Sequence, residues 1–524
     1  MVVGDMIRMT ASRDPAKIGI VSDEVQLSWR QFNERINALA NAMLSLGMQK
    51  GERVAILGRH SHRYLEWYLA VAKAGLVGVP LNTWLKGGEL SYLLRDSGAS
   101  VLFLDPDYTA LAGTLDLAGI RMQIGMAPGH GCSLDYESLL AGASTEEPSV
   151  SVDEEDLFVL SYTSGTTGQP KAAMISHRNS CAATLSHIMG MSMRPHHVFV
   201  MHAPLFFLAA SNNRFNAIYS GCRTIVTTFE AAKIIRLIES DGVTHLTLSP
   251  TALQRMLEAP ELDQHSLRSL EMVAGSGAPF SVSLVQRAIR RLGPIWHVIY
   301  GASESCIGTW LLKESWQAEG VESKLLASVG RAAPNCEVAV LDSKGHAVPG
   351  DSSSVGEIAI RGDSVTRGYW QDPEATACAI RNGWFYTGDL ATCDEEGFIY
   401  IAGRSKEIII SGGINIFPGE VEGVIAEHPG VAQCAVIGVP DAEWGETPMA
   451  FVVLKQGMQA SPDDIIAHCR SRLASYKKPR FVEFMAALPL TASGKVLKSA
   501  LRDQAGAMQE AGSKYSASPP PSSS

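Results

Sequence analysis

The 524-residue chain has no Cys-x-x-Cys pair, although it carries nine cysteines, spread from Cys132 to Cys469. That spacing excludes the usual zinc and iron–sulfur sites. An odd, unclustered set of thiols points to reduced cysteines and a cytoplasmic setting. Positive charge is also short: 44 Lys and Arg stand against 54 Asp and Glu, a net charge of −10. A general nucleic-acid or anionic-membrane surface needs the opposite balance. No apolar run is long enough to span a bilayer, since the stretch from Tyr68 to Leu81 is broken by Lys73. The N-terminus, MVVGDMIRMTASRDP, lacks the apolar centre of a secretory signal. The Gly-x4-Gly-Lys-Ser/Thr spacing of a P-loop is missing as well, which disfavours a P-loop nucleoside triphosphatase.

What the chain has is core material. Apolar residues make up 46% of it, and the length is too great for one hydrophobic core. Ser28 and Gln31 form a capping box ahead of Trp29, Phe32, Ile36, Leu39 and Met43, which step by three and four along one helix face. Short apolar runs at Val54–Leu57, Val77–Leu81 and Val101–Leu104 alternate with helical stretches. The alternation resumes from Val198 through VFVM, RTIV, HLTL, MVAG and HVIY. Short strands between helices predict an α/β fold, with parallel sheets covered by helices. Beyond Gly330, runs such as GEIAIRG, FIYIAG and EIIISGG between Gly, Pro and Asp predict antiparallel strands. After Gly419 a compact α+β pattern follows, with strands at VAQCAVIGV and MAFVVL and a helix over Asp463–Leu473. The expected division is an N-terminal domain over 1–402, a hinge at 403–406 and a C-terminal domain over 407–504. The tail 505–524, rich in Ser and Pro, is expected to be disordered.

Tyr162-Thr-Ser-Gly-Thr-Thr-Gly-Gln-Pro-Lys171 follows the apolar run Leu157–Leu160. Gly165 and Gly168 let backbone N–H groups approach anionic oxygens. The hydroxyls of Thr163, Ser164, Thr166 and Thr167 add donors, and Lys171 adds positive charge. This loop reads as a polyphosphate site. It also resembles the signature loop of the adenylate-forming superfamily, which holds acyl-CoA synthetases, peptide-synthetase adenylation domains and firefly luciferase. The resemblance continues, in the family's order, through Gly275-Ser-Gly-Ala-Pro279, Tyr300-Gly-Ala-Ser-Glu304, Gly356-Glu-Ile358 and Tyr386-Thr-Gly-Asp389. It then runs through Gly403-Arg-Ser-Lys406 and Ser411-Gly-Gly413, closing at Leu488-Pro-Leu-Thr-Ala-Ser-Gly-Lys495.

The resemblance implies a large N-terminal domain with βαβ sheets and a small β-barrel-like subdomain, followed by a small mobile α+β domain. It implies ATP and Mg²⁺ with coenzyme A as co-substrate, and a small-molecule carboxylic acid as partner. Thr163 and Glu304 resemble the metal-holding pair. Tyr300 resembles the ring that stacks on adenine, with Gly277, Ala278 and Pro279 on its other side and Gly301, Ala302 and Ser303 beside it. Asp389 and Arg404 resemble the ribose-binding pair, Lys406 the hinge residue, and Lys495 the lysine that joins carboxylate to α-phosphate during adenylation. Gly412 and Gly413 resemble the pantetheine-tunnel glycines. Tyr476 and Lys478, in the basic run Tyr476-Lys-Lys-Pro-Arg480, are expected to meet the CoA nucleotide.

The acyl pocket is expected from Phe207, Asn212, Gly275 and Gly308 and their neighbours. Phe207 replaces the family's histidine in Pro204-Leu-Phe-Phe207, and the residues from Leu208 to Asn213 offer no acid to pair with an α-ammonium. An apolar or aromatic acid is therefore expected, not an amino acid. Two alternatives to a CoA ligase stay open: an adenylation enzyme that loads a carrier protein's pantetheine, and a non-catalytic nucleotide-binding homologue. The latter would be expected to lose Thr163, Glu304, Asp389, Arg404 or Lys495, and all five are present. An oligomer is compatible with the sequence.

Overall fold

The computed structural model describes residues 1–163, 169–207, 215–441, 443–490 and 496–510. Two large sheets form its N-terminal part. The seven-stranded sheet runs Leu134–Asp135, Met122–Gly125, Val101–Leu104, Arg53–Leu57, Val77–Pro80, Leu157–Thr163, Lys171–Ser176. All its pairings are parallel except the last, a hairpin that carries the phosphate loop. The nine-stranded sheet has a parallel centre formed by Trp296–Tyr300, Met272–Gly275, His245–Leu248, Val198–Met201, Arg223–Val226 and Ile18–Val21, with antiparallel strands at both edges.

Side chains on a strand point alternately to opposite faces, and here both faces are buried. Val54 and Ile56 join one apolar cluster with Phe199 and Met201 from the other sheet, together with residues of the helices Val3–Arg13, Trp29–Ser45 and His62–Lys73. Ala55 and Leu57 face a second cluster under helix Gly87–Ser97. Val200, Leu248 and Val273 face a third, under Ala231–Asp241, Pro250–Glu258 and Val282–Leu292. Two-sided burial is why these strands read as unbroken apolar runs. The capping box forms as expected: Gln31 N–H donates to Ser28 Oγ (3.3 Å) and Ser28 N–H to Gln31 Oε1 (2.9 Å). Trp29, Phe32, Ile36, Leu39 and Met43 are fully buried.

A five-stranded antiparallel sheet follows, pairing Cys336–Leu341, Gly356–Gly362, Trp384–Cys393, Ile380–Arg381 and Ile399–Arg404. The chain changes sheets between Arg404 and Ile409. The last sheet holds Ile414–Ile416, Ile409–Ser411, Gly445–Leu454, Val431–Asp441 and Phe481–Phe484. Helices Pro418–Ala426 and Pro462–Arg470 cover one of its faces, and Lys498–Glu510 covers the other. That final helix corrects the expected tail boundary. Residues 505–510 are helical, because Leu501, Ala505 and Met508 recur at helical spacing and pack on Ile437 and Phe451. Residues 511–524 lie outside the described residues.

Candidate active site

Ligands of parallel sheets gather beyond the carboxyl ends of the strands, and the expected site residues stand there. Thr163 ends Leu157–Thr163, Gly275 ends Met272–Gly275, and Tyr300 ends Trp296–Tyr300. Phe207 follows the end of Val198–Met201.

Asp389 joins two sheets. It lies opposite Arg404 in the antiparallel sheet, and its Oδ1 accepts from Arg404 Nε at 2.8 Å. Its Oδ2 accepts from the Tyr300 hydroxyl, also at 2.8 Å. Burial, then the Asp389 charge, holds the Tyr300 phenol well above its usual range, so it remains a donor. The carboxylate is nearly buried, and it offers about four acceptor positions. Two are used by Tyr300 and Arg404, which leaves two for a pair of hydroxyls.

Glu304 sits in the turn after Tyr300. Gly301 has a steric reason to be glycine there, since a Cβ would stand 2.9 Å from Ile307 Cα. The Tyr369 hydroxyl donates to Glu304 Oε1 at 2.8 Å. Lys171 lies over the Tyr369 ring, 5.8 Å from its centroid, and pairs with Asp372 at 3.3 Å. Lys171 in turn faces Thr163 across the hairpin. Thr163, Lys171, Tyr369 and Glu304 thus form one line of contacts. Among the described residues the Thr163 hydroxyl makes only a long bond, 3.4 Å, to the Lys171 carbonyl. Among the described residues Glu304 Oε2 makes no hydrogen bond. Two hard oxygen donors of this kind fit Mg²⁺, which takes few protein ligands and completes its shell with phosphate oxygens and water. Sequence reasoning missed Tyr369 and Asp372. The one local signal was Asp372-Pro373, a helix N-cap, which does not mark a site.

Gly277 has φ +91°, a conformation that favours glycine, and it is exposed with Pro279 beside the Tyr300 strand. Gly275 and Gly308, expected along the acyl pocket, each have a packing reason to lack a side chain. A Cβ would stand 2.6 Å from the Trp296 ring at Gly275 and 2.6 Å from Ile360 Cδ1 at Gly308. Phe207 belongs to an aromatic trio. Its ring lies 4.5 Å from Phe206 and 5.5 Å from Trp84, which is 52% exposed. Trp84 follows the strand Val77–Pro80, so the trio bridges the carboxyl ends of both large sheets. Ser164, Gly165, Thr166, Thr167, Gly168, Asn212 and Lys495 lie outside the described residues.

In the small C-terminal sheet, Gly412 (φ +57°) and Gly413 (φ +80°) form a two-residue hairpin turn between Ser411 and Ile414. The Trp444 ring covers the Gly412 side. Lys406 lies in the single 3₁₀ turn Ser405–Glu407. The basic run is less free than its sequence implies. Lys477 is 2.6 Å from Glu420, and Arg480 pairs with Asp441. Burial, then Arg470 and Arg480, lowers the Lys478 ammonium from its usual range. A separate trio, His196, His197 and Glu271, brings its possible ligand atoms within 4.8 Å of one another. The Arg194 N–H occupies His197 Nδ1 (3.1 Å), so in the neutral ring Nε2 keeps its proton and faces Glu271 at 3.4 Å.

The family described as AMP-binding enzyme matches residues 7–370, and its C-terminal domain matches residues 420–495. The chain belongs to the AMP-binding enzymes. The feruloyl-CoA synthase of an Amycolatopsis species is 36% identical over 92% of this chain and 94% of its own. A long-chain-fatty-acid–CoA ligase of Mycobacterium tuberculosis is 34% identical over 96% and 98%. Among solved structures, ATP-bound MatB from Rhodopseudomonas palustris superposes with a TM-score of 0.88 at 29% identity, covering 96% of this chain and 99% of that one. This AMP-binding enzyme is an acid–thiol ligase: with ATP and Mg²⁺ it forms an acyl-adenylate, then the coenzyme A thioester. No helix among its described residues is long and apolar enough to cross a membrane.

Proposed function

We propose that this ligase activates an apolar carboxylic acid, with an aromatic ring preferred. The observation that carries the acid assignment is the Trp84–Phe206–Phe207 trio beyond the carboxyl ends of the strands, with Trp84 exposed and the two Phe rings half-buried, an aromatic surface on which an aryl group can stack with favourable edge and face geometry. The similarity to a feruloyl-CoA synthase supports the same reading. A panel of aryl and alkyl acids, assayed for pyrophosphate release, tests it. Aryl acids are expected to give the higher kcat/KM, and Trp84→Ala is expected to erase that preference. Preference for alkyl acids in the wild type, left untouched by Trp84→Ala, would refute it.

In our reading a carboxylate oxygen of the acid attacks the α-phosphorus and pyrophosphate leaves. Asp389 and Arg404 hold the ribose, and Tyr300 and Gly277–Pro279 hold the adenine. Thr163 and Glu304 are the residues to hold Mg²⁺, whose charge offsets that of the phosphates. Lys171 and the loop before it steady the departing pyrophosphate. Lys495 bridges the carboxylate and α-phosphate as charge develops. Losing such a partner costs about 10²- to 10³-fold in rate. The domain beyond the Gly403–Lys406 hinge then turns and brings the Gly412–Gly413 hairpin to the adenylate. The CoA thiolate attacks the acyl carbon and AMP departs. Lys495→Ala should lose acyl-AMP formation and keep thioester formation from supplied acyl-AMP; normal acyl-AMP formation would refute its role. The same assay, run with free CoA and with a carrier protein's pantetheine, identifies the acceptor. All nine cysteines are free thiols, which supports a cytoplasmic setting.

A further inference from the structure

Two carboxylates from different elements converge on one ammonium in the small C-terminal domain. Lys498 Nζ lies 2.9 Å from Glu407 Oε2 and 2.8 Å from Glu422 Oε1, and its side chain is 14% exposed. Glu407 closes the 3₁₀ turn that carries Lys406. Glu422 belongs to helix Pro418–Ala426, and its Oε1 also accepts the Val436 N–H at 2.8 Å. Lys498 opens the helix Lys498–Glu510. Burial works to lower the affinity of its ammonium for a proton, but Glu422 and then Glu407 outweigh that and raise it, so Lys498 stays charged. A half-buried charge set of this kind is sensitive to the loss of a member, because the remaining charges lose part of their compensation.

The cluster stands at the stem of the loop that carries Lys495. Leu490 and Val496 are bridge partners across that loop, and Leu497 N–H donates to the Pro489 carbonyl at 2.8 Å. Leu488 and Leu501, on either side, are buried together against Ile437 and Phe451. The residues on either side of Lys495 are therefore held together, and Lys498 ties them to the hinge turn.

We infer that Lys498 is a positioning residue for adenylation: through Glu407 it ties the stem at Leu490 and Val496, which flanks Lys495 in the sequence, to the hinge turn. This rests on the roles proposed above for Lys495 and the hinge. A misplacement of about 1 Å at a reacting centre costs about 10²-fold in rate, even when the altered residue is remote. The thioester step uses the Gly412–Gly413 hairpin instead, so it is expected to be spared.

The test uses full-length Lys498→Met, Lys498→Arg and Glu407→Gln, with each half-reaction measured separately. Acyl-AMP formation is followed by pyrophosphate exchange without CoA, and thioester formation by reaction of supplied acyl-AMP with CoA. Lys498→Met should lower the first by about 10²-fold and leave the second near wild type. Lys498→Arg, which keeps the charge, should restore most of the loss. Glu407→Gln leaves the Lys498–Glu422 pair in place, and it carries the test if Lys498→Met melts below the assay temperature. Equal loss in both half-reactions, or loss in neither, overturns the inference. Lys495→Ala separates the two failures. If it forms acyl-AMP normally, the reading of Lys495 is wrong; if it does not while the Lys498 and Glu407 variants do, only the inference about Lys498 falls.

Discussion

Asp389→Asn keeps the shape of the side chain and removes its charge. In the wild type the carboxylate receives Tyr300 on one oxygen and Arg404 on the other, both at 2.8 Å. An amide presents one acceptor and one donor, so it cannot serve Tyr300, Arg404 and two ribose hydroxyls together. A hydrogen bond to a charged group is worth about 1.5–3 kcal/mol, so the loss of one ribose bond should lower kcat/KM for ATP by about 10- to 150-fold. Stability should change far less. Arg404 is 47% exposed, and a solvated ion pair is worth only about 0–1 kcal/mol. The assay is pyrophosphate release against ATP and against 2′-deoxy-ATP. The wild type should penalise the deoxy substrate, and the variant should lose most of that penalty, since both changes remove the same contact. A variant that discriminates as the wild type does would refute the ribose assignment. So would a fall in kcat with KM for ATP unchanged.

Tyr369→Phe keeps the ring under Lys171 and removes the hydroxyl that holds Glu304. The half-saturating Mg²⁺ concentration should rise about tenfold, from a lost hydrogen bond of about 1.5 kcal/mol or more; an unchanged Mg²⁺ titration would sink that role. His187 is buried against Trp310, neither ring nitrogen is hydrogen-bonded among the described residues, and burial lowers it to about 4. Between pH 6.5 and 4 the unfolded chain binds a proton there that the folded one does not, so stability falls with acidification, by about 2 kcal/mol at pH 5 for this group. His187→Met should narrow the difference in Tm between pH 7 and pH 5. The slope will not vanish, because His60, His177, His202 and His245 are also lowered to about 4 by burial.

The strands at Val101–Leu104, Val198–Met201, Arg223–Val226 and Met272–Gly275 were legible to the residue, because burial on both faces leaves an apolar run with sharp polar ends. The end of the last helix was not. Ala505 is buried by contacts with a sheet more than fifty residues upstream, and a Ser- and Pro-rich segment follows it closely. The run Tyr476–Arg480 looked like a free cationic surface, yet Lys477 and Arg480 are paired by Glu420 and Asp441, carboxylates that no local pattern connects to it.

By itself the sequence determined the α/β class, the family and the order of the motifs along the chain. These are local properties: period, turn chemistry and the dense Ser/Thr/Gly composition of the loop from Tyr162 to Lys171. Only the tertiary structure decided which charges meet. The Tyr300–Asp389, Glu304–Tyr369 and Glu407–Lys498 pairs join residues far apart in the chain. The physical reason is that hydrogen bonds and ion pairs act over a few ångströms. Their partners are chosen by how sheets and helices pack, and that packing leaves no local mark on either partner.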